Sequence, residues 1–431
     1  MRFWKRALAC VLACMTAAAS AEELLCVSAK DCAALLTEEG REVVAPGSYD
    51  RVFPLTGDRF ALGVRTEDGM RYALCDEEGR LLTDAQYEML KASQGAVLFR
   101  QGGLYGAMGM DGEAVIPAQY TQLAAAGDGG YLAMTGNPYD EEADRVLRIS
   151  ADGTAFETAV YTDEGLSPLS DGLMPYQDPS NELYGYMAAD GTVAIPAGFE
   201  TADVFSGGLA RASKDGLLGV IGTDGAWRIA PEYDYLEIGD GVIVALAGRE
   251  RAAAFDMLCR EVFRVEGTQL EIAVAGGYPV VLEGDVLRVY SAEGDELLEA
   301  DRGAMVSAGL DGQLIVSDGL WGSACVRLIN PDGTSPEGAW QHLLPLNAGR
   351  YAFVRMNAAA YYSDALGEIR YSVDYDSLRF GMMDGRGNQI LPAEYLEISA
   401  LGEERYLTVA DDGLRVVDGG GNVIWSHLEE E

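Results

Sequence analysis

The stretch YGYMAADGTVAIPAGF, residues 184–199, recurs in altered form along the chain and decides its fold. Three copies keep its spacing: YGAMGMDGEAVIPAQY (105–120), LGVIGTDGAWRIAPEY (218–233) and FGMMDGRGNQILPAEY (380–395). In each copy a glycine follows a bulky residue, a second glycine comes six positions later, and an aromatic residue comes eight positions after that. The copies fit a period of roughly 34 to 40 residues, which is the signature of a repeat protein.

One unit predicts a set of short strands. Residues 184–187 alternate large and small side chains, Asp190-Gly191 supplies a tight turn, and the β-branched residues 192–195 resume as a second strand. Pro196 cannot donate a ladder hydrogen bond, which places it at a strand end or a sheet edge. A third apolar stretch follows at 209–212. The pattern therefore predicts three short strands in each unit.

Weaker copies extend the array over most of the chain. Turn glycines with partial motifs are Gly40, Gly79, Gly153, Gly294, Gly333 and Gly421. A degenerate unit is expected around residues 255–263, and the total is about eleven units. Residues 137–145 and 357–375 are interpreted as loops inserted between units.

Since one unit cannot bury enough apolar surface by itself, neighbouring units must share a core. The fold class is all-β, either a propeller-like array or an open curved β-solenoid. The expected buried stripe is Ile116, Ile195, Ile229 and Leu391. The aromatic residues Tyr120, Phe199, Tyr233 and Tyr395 are expected to pack between units, the alternative being a ladder that stacks sugar rings.

These units resemble the WG-repeat family, whose bacterial β-repeats have a Trp-Gly start, a turn glycine, an aliphatic-proline pair and a Tyr-Asp. The opening tryptophan is replaced here by Tyr105, Tyr184, Leu218 and Phe380, and a literal Trp-Gly occurs only at Trp321-Gly322. The resemblance implies all-β repeats, frequent export or surface association, and no shared catalytic residues.

The N-terminus reads as a secretory signal peptide, residues 1–21, with basic residues, an apolar run and the small residues 19–21. Residues 22–37 are interpreted as a cap segment, 38–428 as the repeat array and 429–431 as an acidic tail. Cys10 and Cys14 leave a lipid-anchored form as an alternative to a released one. The protein is therefore predicted to be a secreted or cell-surface bacterial protein.

The chain is strongly acidic, with a net charge of -38. Removal of residues 1–21, which hold three basic and no acidic residues, gives -38 - 3 = -41 for the mature chain. Such a charge argues against nucleic acid and anionic membranes as partners. No apolar run in the mature chain is long enough to span a membrane.

No constellation of residues with recognisable chemistry is apparent. Five cysteines outside the signal peptide and two histidines form no zinc, triad or disulfide pattern, although Cys26 and Cys32 could close a small loop. The acidic stretches 384–388 and 411–413 lack the ligand order of a calcium loop and are interpreted as turns. We predict no catalytic, cofactor-binding or metal-binding residues and no cofactor, and the binding residues stay unassigned.

The sequence thus favours an exported, non-catalytic repeat protein, expected to be a monomer, that presents a surface for an unknown protein or glycan at the cell envelope. The alternative is a glycan-active enzyme that uses paired carboxylates, which requires two carboxyl groups about 5 to 9.5 Å apart in a cleft.

Overall fold

In the computed structural model the described residues form eleven small antiparallel sheets and no α-helix. The structure describes residues 24–428 apart from 30–31, 57, 94, 127–128, 137–143, 151–152, 163–165, 167–168, 179, 240, 318–324, 339 and 364–367. The predicted signal peptide, the acidic tail, Trp321-Gly322 and most of 137–145 lie outside the described residues.

The strands follow one another in chain order, and each sheet is a simple meander. Sheets 1 to 4 contain β1 Leu25–Ala29, β2 Cys32–Leu36, β3 Glu42–Tyr49; β4 Arg51–Thr56, β5 Arg59–Thr66, β6 Gly69–Asp76; β7 Met89–Ser93, β8 Ala96–Gln101, β9 Leu104–Met108, β10 Ala114–Tyr120; and β11 Gln122–Ala125, β12 Tyr131–Met134, β13 Asp144–Ile149, β14 Ala155–Thr162. Sheets 5 to 8 contain β15 Leu173–Asp178, β16 Leu183–Ala188, β17 Val193–Phe199; β18 Thr201–Ala202, β19 Leu209–Lys214, β20 Leu217–Gly222, β21 Trp227–Tyr233; β22 Tyr235–Ile238, β23 Val242–Ala247, β24 Arg251–Asp256, β25 Glu261–Glu266; and β26 Glu271–Ala275, β27 Tyr278–Glu283, β28 Val286–Tyr290, β29 Glu296–Asp301. Sheets 9 to 11 contain β30 Met305–Ala308, β31 Leu314–Ser317, β32 Arg327–Ile329; β33 His342–Pro345, β34 Arg350–Ser363, β35 Glu368–Asp384, β36 Gln389–Tyr395; and β37 Glu397–Gly402, β38 Arg405–Ala410, β39 Gly413–Asp418, β40 Val423–Leu428.

The repeated glycine sits in the turn that joins the last two strands of a sheet. Gly191 has φ +83, a left-handed conformation that glycine adopts without strain. A Cβ there would lie 2.5 Å from Cγ2 of Thr158 in sheet 4, so the turn also packs closely on the preceding sheet. Asp190 fixes the turn, since its Oδ1 accepts a hydrogen bond from the Thr192 amide at 2.9 Å. The acidic stretch at 384–388 is a turn of the same kind, because Asp384 Oδ1 accepts the Asn388 amide at 2.8 Å.

Apolar side chains of adjacent sheets form shared cores. Ile195 and Phe199 of sheet 5 pack with Phe205, Ala210 and Ile221 of sheet 6. The predicted stripe is buried at all four positions, with Ile116, Ile195, Ile229 and Leu391 each no more than 7% exposed. Tyr120 and Tyr233 likewise pack against the sheet that follows them. Tyr395 is partly buried against Ile398 and Tyr406 of sheet 11. The prediction that the aromatic residues pack between units is confirmed.

The array closes into a ring, which selects the propeller-like alternative over the open solenoid. Leu25, Val27 and Leu36 of sheet 1 share a core with Val416 and Trp425 of sheet 11. Trp425 Nε1 also donates to Glu42 Oε1 at 3.0 Å. First strands of neighbouring sheets contact one another, as β4 does with β7 and β1 does with β37. First strands therefore form the inner side of the ring and last strands its outer side.

Five of the eleven outer strands carry a proline at their free edge. Each of these strands ends the order of its sheet, and the prolines are Pro46, Pro117, Pro196, Pro231 and Pro392. Proline is tolerated there and blocks pairing with another chain. The predicted edge position of Pro196 is confirmed.

The structure corrects several expectations. A unit usually contributes four strands and not three. The additional strand follows the aromatic residue and, as in β18, is too short to leave an apolar pattern in the sequence. The described residues of the expected loop at 357–375 are not irregular: 357–363 continue β34, and 368–375 belong to β35, whose residues 368–374 pair with them. The expected cap segment, 22–37, includes β1 and β2, which form sheet 1 together with β3.

Cys26 and Cys32 do not form a disulfide. In the β1–β2 ladder Cys26 faces Leu35, whereas Cys32 faces Ala29, three positions along the strand. Three positions correspond to about 10 Å, beyond the Cα separation of about 7 Å that a disulfide can span.

Candidate binding surface on the tenth sheet

Sheet 10 carries the largest departure from the repeat. β34 has 14 residues and β35 has 17. At the base of the hairpin, Arg350–Arg355 pair with Arg379–Asp384 and belong to the four-stranded sheet. The outer halves of the two strands, 357–363 and 368–374, extend past the sheet and pair only with each other. We call these outer halves the arm.

The arm is joined to the sheet through an irregular bulge. Between the Arg355–Arg379 pair and the Asn357–Asp374 pair, one residue of β34 faces four residues of β35. Gln341 holds this point, since its Oε1 accepts the Met356 amide at 2.6 Å and its Nε2 donates to the Met356 carbonyl at 2.9 Å. Bulges redirect a strand and are frequent beside functional sites.

The two faces of the arm differ in chemistry. Ala358 lies opposite Val373 and Ala360 lies opposite Tyr371, and these four uncharged residues share one face. The other face holds Asn357, Ala359, Tyr361, Arg370, Ser372 and Asp374. Tyr361 is 52% exposed. A two-stranded ribbon is marginally stable by itself, so an amphipathic one gains from a covering partner.

Both edges of the arm lack a neighbouring strand in the described part of the chain. β33 pairs only with residues 351–354 of β34, and β36 pairs only with the 380–383 segment of β35. The arm has no proline, unlike five of the outer strands of the ring. Its unprotected backbone groups can accept an added strand.

A cleft of about 460 Å³ lies at the base of the arm. It is lined by Trp340, Gln341, Val354, Arg355, Met356, Asn357, Ser377, Arg379 and Ala393. No Asp or Glu lines it, although the chain has 69 acidic and 31 basic residues.

A second cleft, of about 490 Å³, lies between sheets 8 and 9 and contains Glu299 and Asp301. These two carboxylates sit two positions apart on one strand and therefore belong to one wall of the cleft. Glycoside hydrolysis requires carboxylates that flank the bond from different sides. Glu299 is also engaged by Arg288 at 3.4 Å. This geometry gives the enzyme alternative no support.

The shifted pKa values of the tyrosines and of His342 follow from packing. Burial raises the pKa of Tyr406 to about 12, and its hydroxyl donates to the Asn347 carbonyl at 3.2 Å. Burial lowers the pKa of His342, which lies half-buried in β33. His427, on β40, is exposed and stacks on Trp425. Among the described residues, no three His, Cys, Asp or Glu side chains lie together as a metal site would require.

Sequence reasoning missed the arm because it assigned 357–375 to a loop. A usable signal was present: the turn-forming residues Asp364 and Gly367 lie between a stretch with two tyrosines (357–363) and a stretch with isoleucine, tyrosine and valine (368–374). That arrangement is typical of a hairpin. The repeat period indicates where the regular strands lie, but it cannot predict an extension inserted into a single unit.

The model of the WG containing repeat family matches residues 184–217, which confirms the resemblance at this unit. The matched repeat begins in β16 and ends at the start of β20, so it covers the last two of three strands of sheet 5 and the first two of four strands of sheet 6. One sequence unit thus links two neighbouring sheets.

No curated protein matches the chain. Solved structures with similarity include BamB from Moraxella catarrhalis, with 13% identity, 62% of this chain and 92% of that chain covered, and a TM-score of 0.29. PorZ, described as an essential bacterial surface component of the type-IX secretion system of Porphyromonas gingivalis, has 11% identity, 80% and 52% coverage, and a TM-score of 0.25. A eukaryotic initiation factor has 9% identity, 87% and 96% coverage, and a TM-score of 0.43. Similarities this weak transfer no function. No helix among the described residues is long and apolar enough to cross a membrane.

Proposed function

We propose that this WG-repeat propeller is an exported, non-catalytic binding protein of the bacterial cell envelope that holds a protein partner through the arm. The ring supplies a rigid support, and the arm is the one described element of sheet 10 that extends beyond its neighbours. The observation that carries the proposal is this two-stranded ribbon, which has an uncharged face and, among the described residues, no neighbouring strand at either edge.

The partner is best described as an extended polypeptide segment that adds a strand to the arm. Strand addition satisfies the free backbone groups, while alternate side chains of the added strand cover Ala358, Tyr371 and Val373. The net charge of -38 favours a partner with a basic surface, because complementary charge speeds association. A second copy of this chain carries the same charge and is disfavoured.

Export rests on the N-terminal sequence. Residues 1–21 have the order of a secretory signal peptide, and the acidic surface suits a soluble exported protein. Expression of the full chain in a bacterial host tests this part. The exported product should begin at Glu22, and a cytoplasmic product that keeps residues 1–21 would refute export.

The arm is tested with a photo-reactive amino acid at Tyr361 in the mature chain, residues 22–431. Irradiation with native envelope extract should give one discrete adduct that weakens as salt rises. The matched control places the same group at Tyr235, which is 38% exposed on sheet 7 and should give none.

A variant in which residues 359–372 are replaced by Asn-Gly, a two-residue turn between the paired Ala358 and Val373, checks that the arm holds the partner. It should keep the thermal midpoint of the parent and fail to compete for the adduct. Equal competition by this variant, equal adducts at both tyrosines, or an adduct containing only this chain would contradict the proposal.

A further inference from the structure

Arg355 and Arg379 form a like-charge pair across the β34–β35 ladder. The two residues are direct register partners, and such partners have Cβ atoms about 5 Å apart on the same face. Like charges in this position are destabilising.

The pair is unusual within this molecule. Five arginines face carboxylates in the same ladder position: Arg59 with Asp76, Arg251 with Glu266, Arg288 with Glu299, Arg350 with Asp384 and Arg405 with Asp418. Others face uncharged residues, as Arg211 faces Val220, but no other two basic residues are direct partners in the described ladders. In a chain with more than twice as many acidic as basic residues, an Arg–Arg pair in a cleft without carboxylates is a local reversal of charge.

Neighbouring groups offset this reversal only weakly. Asp411 of sheet 11 lies 3.8 Å from Arg379, but its side chain is 80% exposed, so water screens the interaction. Arg379 also donates to the carbonyls of Asp376 and Leu378, which fixes its position. Arg355 has its guanidinium carbon 5.9 Å from the centre of the Phe353 ring.

The walls of the cleft are held in place by the bulge. Gln341 uses both ends of its amide on the Met356 backbone, and Ser377 Oγ accepts the Asn357 amide at 2.8 Å. Besides the two arginines, the lining contains the polar side chain of Asn357 and the aromatic ring of Trp340. A preorganised site of this kind loses little freedom when a ligand binds.

We propose that the cleft at the base of the arm binds an acidic sugar, with the carboxylate of the sugar held between Arg355 and Arg379. Two planar guanidinium groups match the geometry of a carboxylate. The negative charge of the bound carboxylate offsets the repulsion between the two arginines. Trp340 offers a face or edge to the sugar ring, and Asn357 can bond a ring hydroxyl. The volume of about 460 Å³ lies within the range of small-molecule sites.

This site is separate from the partner surface of the arm. Arg355, Arg379, Asn357 and the bulge remain in the variant that replaces residues 359–372, whereas Tyr361 and Tyr371 are removed. Loss of partner binding and loss of sugar binding can therefore be observed independently.

The experiment is a calorimetric titration of the mature chain with glucuronate, with glucose and inorganic phosphate as comparison ligands. Concentrations up to about 50 mM detect a Kd in the millimolar range. Glucuronate should bind saturably, glucose should not bind, and Arg355→Gln and Arg379→Gln should each weaken binding about tenfold or more. Arg249→Gln, which removes an exposed arginine paired with Glu271, should leave binding unchanged.

A second readout separates binding from folding. Without ligand, Arg355→Gln should keep or raise the thermal midpoint, since it removes the repulsion, and glucuronate should raise the midpoint of the parent chain only. The proposal is overturned if glucuronate does not bind, if phosphate binds equally well, or if the Arg355 and Arg379 variants bind like the parent.

Discussion

Arg405 Nε donates a hydrogen bond to the carbonyl oxygen of Glu38 at 3.3 Å, although the two residues are 367 positions apart. Two internal junctions have the same contact. Arg59 Nε donates to the Met110 carbonyl at 2.5 Å, and Arg350 Nε donates to the Gly419 carbonyl at 3.0 Å. In all three contacts the arginine is the first residue of the second strand of its sheet. The carbonyl that accepts the hydrogen bond belongs to the second residue of a turn in the next sheet. The junction between sheets 11 and 1 therefore repeats an internal junction, as a closed ring requires.

Arg405→Ala should lower the free energy of unfolding by about 1 kcal/mol, because a partly exposed charged donor is lost. Arg350→Ala should cost a similar amount at its internal junction. Urea denaturation of both variants measures the two costs. A cost at Arg350 with none at Arg405 would show that sheets 1 and 11 do not meet in solution.

Ile195→Ala should destabilise the protein by about 3 kcal/mol, since it leaves a cavity in the core between sheets 5 and 6. Val193 lies two positions earlier on the same strand and is 40% exposed, so Val193→Ala should change stability by less than about 0.5 kcal/mol. Urea midpoints compare the two variants. Equal costs would contradict the assignment of the buried face.

The buried stripe and the turns followed from the sequence because they recur at fixed spacing. Ile195 and Gly191 hold the same places in each strong copy, so their roles could be inferred from pattern alone. Closure could not be inferred, because it depends on small rotations between sheets that no residue pattern records. The Arg355–Arg379 pair was invisible for a different reason: the two arginines lie 24 positions apart and meet only through the register of an extended hairpin.

The turn of the matched repeat should respond to pH through Asp190. Hydrogen bonds from the Thr192 side chain and amide lower the pKa of the Asp190 carboxyl below its ordinary value. The stabilisation from its charged form is present above the unfolded-state pKa of about 3.9 and is lost as the pH falls through the lower folded-state pKa.

Asp190→Asn keeps a capping side chain and removes the charge. Its thermal midpoint should therefore lie below that of the parent at pH 7 and approach the parent below pH 4, whereas the exposed-site control Glu113→Gln should show no such convergence. A midpoint difference that is constant across this range would contradict the role of the charge.

Pro196→Thr should increase self-association of the folded protein. The substitution supplies an amide donor to the outer edge of β17, where proline now prevents pairing with another chain. Sedimentation velocity at several concentrations measures the change, with Ala194→Thr on the same strand as the control. A variant that stays monomeric at all concentrations would argue against a protective role.

Closure of the ring is tested most directly by a distance between spin labels on Glu39→Cys and Glu403→Cys, two exposed positions on sheets 1 and 11, in a chain with Cys325→Ser. A closed ring predicts about 20 Å, one sheet spacing of about 10 Å plus the label arms. The internal pair Asp58→Cys and Glu113→Cys should give a similar value. A separation approaching about 100 Å, ten sheet spacings, would show an open array and contradict the closed propeller.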